Sequence, residues 1–288
     1  GAKTAIEFVQ QRSKILAALS VIDADIVGLM ELENDGFAAD SSIADIVNGL
    51  NQRLGHGRYA YVSVAQESLG TDAITVGLIY KPSRVALLGP AVTLNKSVFT
   101  QGNRPPLVQT FKELSSKQVF TVAVNHFKSK GGCARAKLAN KAQKDGQGCW
   151  NQLRTEAANE LSAWLASNPT GSQDEDILIM GDLNAYAQED PIQRFIFNGY
   201  FDLLQKYLGR SAYSYRFAGQ LGYLDHALAN KALLSQVTAV QVWHINADEA
   251  NVFGYRQSHT QVNWQNYFSE SIYRSSDHDP IIIWLNLH

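Results

Sequence analysis

The chain has 288 residues, of which 45% are hydrophobic, enough apolar material for one large α/β core. Its formal net charge of -2, from 25 basic and 27 acidic residues, excludes a general coat of positive charge, so a polyanion would need a local basic patch. No run approaches the roughly 20 consecutive apolar residues of a membrane helix, and no signal peptide precedes Gly1, so we expect a soluble protein without a membrane partner.

Helical and strand patterns alternate along the chain. Apolar spacing predicts a helix over 7–19, and the continuous apolar run that follows predicts a buried strand over 26–30. Ser41 and Ser42 supply N-cap chemistry for a helix that ends near Leu54. Further strands are predicted at 59–64, 73–80, 107–111, 119–125, 177–180, 223–229, 237–244 and 281–287, and the clearest helix covers 151–166. No repeat or linker divides the chain, which indicates a single domain over 1–288 with two packed sheets, each covered outside by helices.

Several predicted strands end in polar residues that could form one site. Gly181-Asp182-Leu183-Asn184 follows a buried strand, and Ser276-Asp277-His278-Asp279-Pro280 precedes the last one. Glu31 and Asn125-His126 end two more strands, and Asp225-His226 ends another. A carboxylate can accept a proton from water, an amide can donate to a phosphoryl oxygen, and a histidine can protonate a leaving group. This set predicts metal-assisted attack on a phosphate ester.

Glu31 and Asp277 are the candidate metal ligands. Carboxylate oxygens favour a hard cation that shares phosphate oxygens, so we expect Mg²⁺, with Mn²⁺ as an alternative and Ca²⁺ as a structural ion. A strand-end acid can also simply face solvent, which is our interpretation of Glu33 and Asp35.

Residues 128–144 form a basic segment without an acidic residue; its cations are Lys128, Lys130, Arg135, Lys137, Lys141 and Lys144. Cys133 and Cys149 are the only cysteines, and each stands beside glycine in a polar loop, which favours a disulfide and an oxidising compartment. A bridge closing about 15 residues would remove roughly 3 kcal/mol of loop freedom and hold the cations in place for a strand of phosphates. Two free thiols and a solvated lysine-rich loop are the alternatives.

These motifs, taken in chain order, resemble the endonuclease/exonuclease/phosphatase superfamily. The shared pattern is a strand ending in glutamate, a strand ending near histidine, a Gly-Asp-x-Asn segment and a terminal Ser-Asp-His. Segments 125–131, 181–186, 222–226 and 243–248 look like the secreted bacterial extracellular nucleases of that superfamily. The resemblance implies a DNase I-like, four-layered α/β sandwich and divalent-metal-dependent hydrolysis of DNA, with RNA as an alternative, leaving 5′-phosphate ends.

The resemblance also implies residue roles. Metal binding falls on Glu31 and Asp277, and catalysis on His126, Asp182, Asn184, Asp225, His278 and Glu67. Asp182 would orient or activate water, and Asn184 and His278 would stabilise the phosphorane. His126 would be an acid or a phosphate clamp, and Glu67 would pair with this first histidine. Asp225 would pair with His278. Contacts to phosphate or nucleic acid are expected from Arg104, Asn125, Lys128, Lys130, Arg135 and Lys137.

Two features depart from the family pattern. Family chains begin with a core strand whose asparagine lines the metal site, and nothing before the helix at Glu7 supplies that strand. Its absence would expose a sheet edge and weaken activity. The stretch 251–260 also differs from what the family shows at this point.

The leading hypothesis is therefore a secreted, monomeric nuclease with little sequence specificity, whose signal peptide has been removed. A phosphatase or phospholipid phosphodiesterase of the same superfamily would share the catalytic residues but need a pocket for one headgroup. A non-catalytic polyanion-binding module is the third alternative. The basic segment 128–144 favours a polymer substrate.

Overall fold

The computed structural model describes residues 1–256 and 267–288. Its α-helices are α1 (Ala5–Ile22), α2 (Ser42–Leu54), α3 (Asn151–Ala166), α4 (Asp190–Phe197), α5 (Leu203–Leu208) and α6 (Lys231–Leu234). Its strands are β1 (Ile26–Glu33), β2 (Ala60–Tyr61), β3 (Ile74–Tyr80), β4 (Val85–Thr93), β5 (Leu107–Glu113), β6 (Val119–His126), β7 (Ile177–Asp182), β8 (Tyr200–Asp202), β9 (Tyr215–Phe217), β10 (Gln220–Gly222), β11 (Asp225–Asn230), β12 (Val237–Val242) and β13 (Ile281–Leu285). No helix among these residues is long and apolar enough to cross a membrane.

A six-stranded sheet in the order β4-β5-β6-β7-β11-β8 forms the centre of the fold. Strands β6 and β7 run parallel, and every other pairing in this sheet is antiparallel. The other strands form a sheet β1-β3-β2, a pair β12-β13 and a hairpin β9-β10.

Alternation along the central strands separates the layers, because successive side chains of a strand point to opposite faces. Ala123 and Ile179 pack with α3 and α4 on one face. Val122 and Val124 pack with β1 and β3 on the other, and Leu178 packs there with β12 and β13. Helices α1 and α2 cover the outside of β1 and β3. The predicted α/β sandwich of two packed layers of strands flanked by helices is confirmed.

The element boundaries show where local patterns were insufficient. Helix α3 matches its predicted range, whereas the strand predicted at 59–64 pairs only over Ala60–Tyr61. Strand β4 was not predicted because it is an edge strand with an exposed middle that contains Gly89 and Pro90. Helix α4 was missed although its apolar residues are periodic, because it is only eight residues long and has Pro191 in its first turn.

Strands β1 and β13 face a common groove. Each pairs with one neighbour only, β1 with β3 and β13 with β12, so each has an unpaired edge among the described residues. Both strands line a cavity of about 1500 Å³, together with Gly1, Glu31 and Asp277.

Of the stretch 251–260, residues 257–260 lie outside the described part of the chain.

Candidate active site

The register of three central strands brings the main polar residues together. Parallel pairing places His126 opposite Asp182, and antiparallel pairing places Asp225 opposite Asp182 on its other side. Three residues far apart in sequence thus lie side by side at one end of the three inner strands β6, β7 and β11.

Gly181 makes this close approach possible. Its φ of 128° lies in a region that L side chains rarely adopt, and a Cβ atom there would stand 2.0 Å from the Asn125 carbonyl oxygen. The glycine of the Gly-Asp-x-Asn segment is therefore required by the contact between β6 and β7.

Asp182 and Asn184 form a compact turn beyond β7. The Asn184 backbone N–H donates to Asp182 Oδ1 at 2.8 Å, and its side-chain amide donates to Asp182 Oδ2 at 3.1 Å. Asn184 has φ 49°, which asparagine tolerates better than most residues. The same amide donates to the Phe127 carbonyl at 3.1 Å, so the amide and carboxylate are held in a fixed relation.

His278 is held by Asp225, the pairing that the resemblance implies. The distance from His278 Nδ1 to Asp225 Oδ2 is 2.7 Å, and the Ser214 hydroxyl donates to the same carboxylate oxygen at 2.7 Å. The ring of Tyr215 packs against the imidazole, with centroids 4.5 Å apart. The other imidazole nitrogen, Nε2, is therefore free of this pairing.

The segment that carries His278 is anchored by Asp279. One of its carboxylate oxygens accepts backbone N–H groups from residues 245–247, at 2.7 to 3.1 Å. Its other oxygen lies 2.8 Å from His244 Nδ1. The Asn246 side chain also donates to the His278 carbonyl at 2.6 Å, which ties this segment to the end of β12.

His126 and His278 differ in charge at neutral pH. Burial, with added repulsion from Arg104, lowers the pKa of His126 to about 3, so this imidazole is neutral at pH 7. Burial also opposes charge on His278, but Asp225, Asp182 and Asp277 outweigh it and raise its pKa to about 10. His278 is thus the protonated imidazole of the site.

The two buried carboxylates differ as well. Burial, followed by repulsion from Asp225, raises the pKa of Asp182 to about 7. Burial disfavours ionised Asp225 too, but the charge and hydrogen bond of His278 and the Ser214 hydroxyl lower its pKa overall. Asp182 is therefore suited to exchange a proton near neutral pH, and Asp225 to remain ionised.

The carboxylates around His278 offer oxygen ligands to a divalent cation. Asp182 and Asp225 each place a carboxylate oxygen within 4.8 Å of the other and of a His278 ring nitrogen, and the protonated imidazole itself is not a ligand. Glu31 and Asp277 are exposed and line the same groove as Asp225 and His278. Glu31 lies where the β1 register shifts, with φ 60°, a bulge of the kind that redirects a side chain. A cation among these carboxylates would favour ionised Asp182, against the burial and the repulsion from Asp225 that raise its pKa.

His126 lies next to Asp182. Its Nε2 lies 3.5 Å from Asp182 Oδ2, and its buried Nδ1 has no hydrogen-bond partner among the described residues. Glu67 is exposed, and within the described part of the chain it does not pair with His126 Nδ1.

Arg104 and Asn125 are held by their surroundings. Arg104 Nε donates to Asp72 at 2.9 Å, and its Nη1 donates to the Phe127 carbonyl at 3.3 Å. Asn125 is fully buried and donates to the Ala123 carbonyl at 2.9 Å, so it braces the end of β6 beneath the site.

The predicted disulfide is present, joining Cys133 to Cys149 with a Cα–Cα distance of 5.6 Å. The loop divides into an anchored part and a free part. Lys128 Nζ donates to the Ser129 and Gly131 carbonyls, and Lys130 Nζ donates to the Glu189 carboxylate at 2.6 Å. The cations with exposed side chains are Arg135, Lys137, Lys141 and Lys144.

The sequence patterns did not predict two residues that contact Asp225 and His278. Ser214 and Tyr215 lie in a stretch without a helical or strand signature, and only the fold brings them to Asp225 and His278. His226 does not pair with its neighbour Asp225: its Nε2 donates to the Ala185 carbonyl at 2.8 Å, and it is fully buried beside Asp202.

Comparisons with known proteins agree with this architecture. The model of the Endonuclease/Exonuclease/phosphatase family matches residues 3–278, and no curated protein sequence matches the chain. Among solved structures, a Bacteroides thetaiotaomicron mannosyl-6-phosphatase is similar at 13% identity and TM-score 0.62, covering 97% of this chain and 92% of that one. A D. rerio TDP2 complexed with single-strand DNA product is similar at 15% identity and TM-score 0.57, covering 96% and 92%. The human Nocturnin catalytic domain is similar at 18% identity and TM-score 0.54, covering 82% and 77%.

Proposed function

Since this chain belongs to the endonuclease/exonuclease/phosphatase family, we propose that it is a divalent-metal-dependent nuclease. It hydrolyses phosphodiester bonds of DNA, or of RNA as the alternative substrate, with little sequence specificity and with 5′-phosphate products. The observation that carries the proposal is the group of Asp182, Asn184, Asp225 and His278, in which Asn184 holds the Asp182 carboxylate and Asp225 holds the His278 imidazole beside it. We also propose that residues 1–288 act as one catalytic domain.

The chain's own residues supply the proton and charge chemistry. Asp182 takes the proton of the attacking water, and its hydrogen bonds from Asn184 hold it in position. Protonated His278, oriented by Asp225, stabilises the negative charge that builds on the phosphoryl oxygens. Neutral His126 donates a hydrogen bond to the same group.

Glu31 and Asp277, which line the same groove as Asp225, would hold the metal. When bound, the cation supplies Lewis-acid polarisation of the phosphoryl oxygen. Oxygen ligands of this kind suit Mg²⁺ or Mn²⁺.

The loop closed by the disulfide supports a polymer substrate. Its exposed cations are Arg135, Lys137, Lys141 and Lys144, and Lys128 and Lys130 link it to the end of β6. Cations spread along a loop can neutralise several phosphates at once, which a single phosphomonoester does not require. The disulfide is also consistent with a secreted enzyme.

One observation favours a phosphomonoesterase instead. Glu189 neutralises Lys130, and carbonyl groups hold Lys128, so the two lysines that follow β6 are already engaged. A small headgroup could then suffice as substrate.

Activity on supercoiled plasmid and on a soluble phosphomonoester decides between the two. We expect plasmid nicking with Mg²⁺, none with chelator, and a loss of at least about a hundredfold in Asp182→Ala and His126→Ala. The exposed Asp40→Ala variant is the control and should match wild type. Turnover of the monoester alone would replace this proposal with the phosphatase, and equal rates in wild type and both site variants would remove the enzyme assignment.

A further inference from the structure

A short hairpin places an aromatic face beside His278. Strands β9 and β10 pair with Phe217 opposite Gln220 and Tyr215 opposite Gly222. The turn residues Ala218 and Gly219 both have positive φ, 50° and 82°, as in the tight hairpin turns that match strand twist.

Alternation along the hairpin separates its two faces. Tyr215 and Phe217 share one face with their cross-strand partners, whereas Arg216 and Leu221 share the other. On the first face the Tyr215 ring lies 4.5 Å from the His278 ring, and the Phe217 ring stacks on Tyr215 at 6.5 Å with an interplanar angle of 16°. The three rings therefore continue outward from the site.

The inner end of this aromatic face is built into the fold. A Cβ atom at Gly222 would stand 2.7 Å from the Tyr186 ring, so the glycine lets that ring lie against the hairpin beside Tyr215. Lys130 Nζ lies 5.4 Å from the Tyr186 ring centroid, which connects this face to the loop closed by the disulfide.

The outer end is open. The Phe217 residue is 64% exposed, although a phenylalanine at a hairpin tip gains no stability from exposure to water. An aromatic ring next to a phosphate site offers a stacking surface for a nucleobase, because every base has a π face.

We propose that Phe217, supported by Tyr215, is a stacking platform for a base that flanks the scissile phosphate. The inference rests on the proposed nuclease function and deepens it: the preferred substrate is a nucleic acid strand with an accessible base face, such as a single strand or an unpaired end. Base stacking on one aromatic side chain changes affinity by about tenfold or more.

The test compares two oligomers of equal length and charge, oligothymidylate and an oligomer of abasic tetrahydrofuran units. Phe217→Leu removes the ring but keeps an apolar side chain, Phe217→Trp keeps a ring, and Leu221→Ala is the control on the other face of the hairpin. Binding is measured in chelator by competition, so the readout does not depend on turnover, and cleavage of both oligomers is measured with Mg²⁺.

Phe217→Leu should weaken oligothymidylate binding and raise its KM about tenfold, with the abasic oligomer unchanged. Phe217→Trp should bind at least as well as wild type, and Leu221→Ala should match wild type. Equal losses on both oligomers, or no loss on either, would overturn the platform while leaving the nuclease intact. Failure of wild type to cleave either oligomer would count against the nuclease itself, and the binding difference would still decide the platform.

Discussion

Gly181→Ala provides a strong test of how the site is built. The substitution forces an alanine to φ 128° and places its Cβ atom 2.0 Å from the Asn125 carbonyl oxygen. Gly55 is a matched control, because its φ is 114° and no described atom lies within 4 Å of the position that a Cβ atom would take there.

The expected magnitude follows from these two contributions. The backbone conformation alone costs about 1–3 kcal/mol, and Gly55→Ala should show that cost alone. A clash with backbone cannot be relieved by a rotamer change, so overpacking adds about 1–3 kcal/mol in Gly181→Ala. A total of about 2–6 kcal/mol lowers Tm by about 3–10 °C in a chain of this size.

Activity should respond more strongly than stability. Separation of β6 from β7 moves Asp182 relative to His126, and a misplacement of about 1 Å can cost about a hundredfold in rate. Thermal unfolding, urea unfolding and plasmid nicking on wild type and both variants would measure the effect. If Gly181→Ala were no less stable than Gly55→Ala and equally active, the close approach of these strands would not be what the glycine provides.

Three further predictions concern stability. Burial lowers the pKa of Lys14 from 10.5 to about 8, so between these pH values the unfolded chain binds more protons than the folded one. The free energy of unfolding should therefore rise with pH over this range by about 3 kcal/mol. Urea unfolding of Lys14→Met should not show this rise. Replacing Cys133 and Cys149 by serine should lower the unfolding free energy by about 3 kcal/mol, and reductant should then have no further effect; an unchanged Tm would contradict this. A strand-forming segment fused ahead of Gly1 should raise Tm by several degrees by pairing with the edges of β1 and β13 that are unpaired among the described residues, whereas the same segment with alternate prolines should not.

Much of the site was predictable from polar residues at or near the termini of buried strands, although Asp225 begins β11 and does not end a strand as expected. Asp182, Asn184, Asp225 and His278 carry polar groups directly beside long apolar runs, a local pattern that needs no knowledge of topology. The disulfide was predictable as well, since only two cysteines occur and both lie in one polar loop.

Other assignments depended on packing. The resemblance implies that Glu67 pairs with His126. In the structure Asp182 Oδ2 lies 3.5 Å from His126 Nε2, and His126 Nδ1 has no hydrogen-bond partner among the described residues. His126 and His278 look alike in sequence, yet burial keeps one neutral and three carboxylates keep the other protonated. Charge state depends on the surroundings of a group in space, which neighbouring residues in sequence do not reveal.

The sequence by itself determined the alternation of helices and strands, the polar groups at strand ends and the basic loop with its two cysteines, because these features are local in the chain. Only the tertiary structure decided the parallel register that sets His126 beside Asp182, the Ser214 hydroxyl behind Asp225 and the stacking of Tyr215 on His278. These contacts join residues from separate strands and loops. They form only when burial of both faces of the central sheet fixes its strand order.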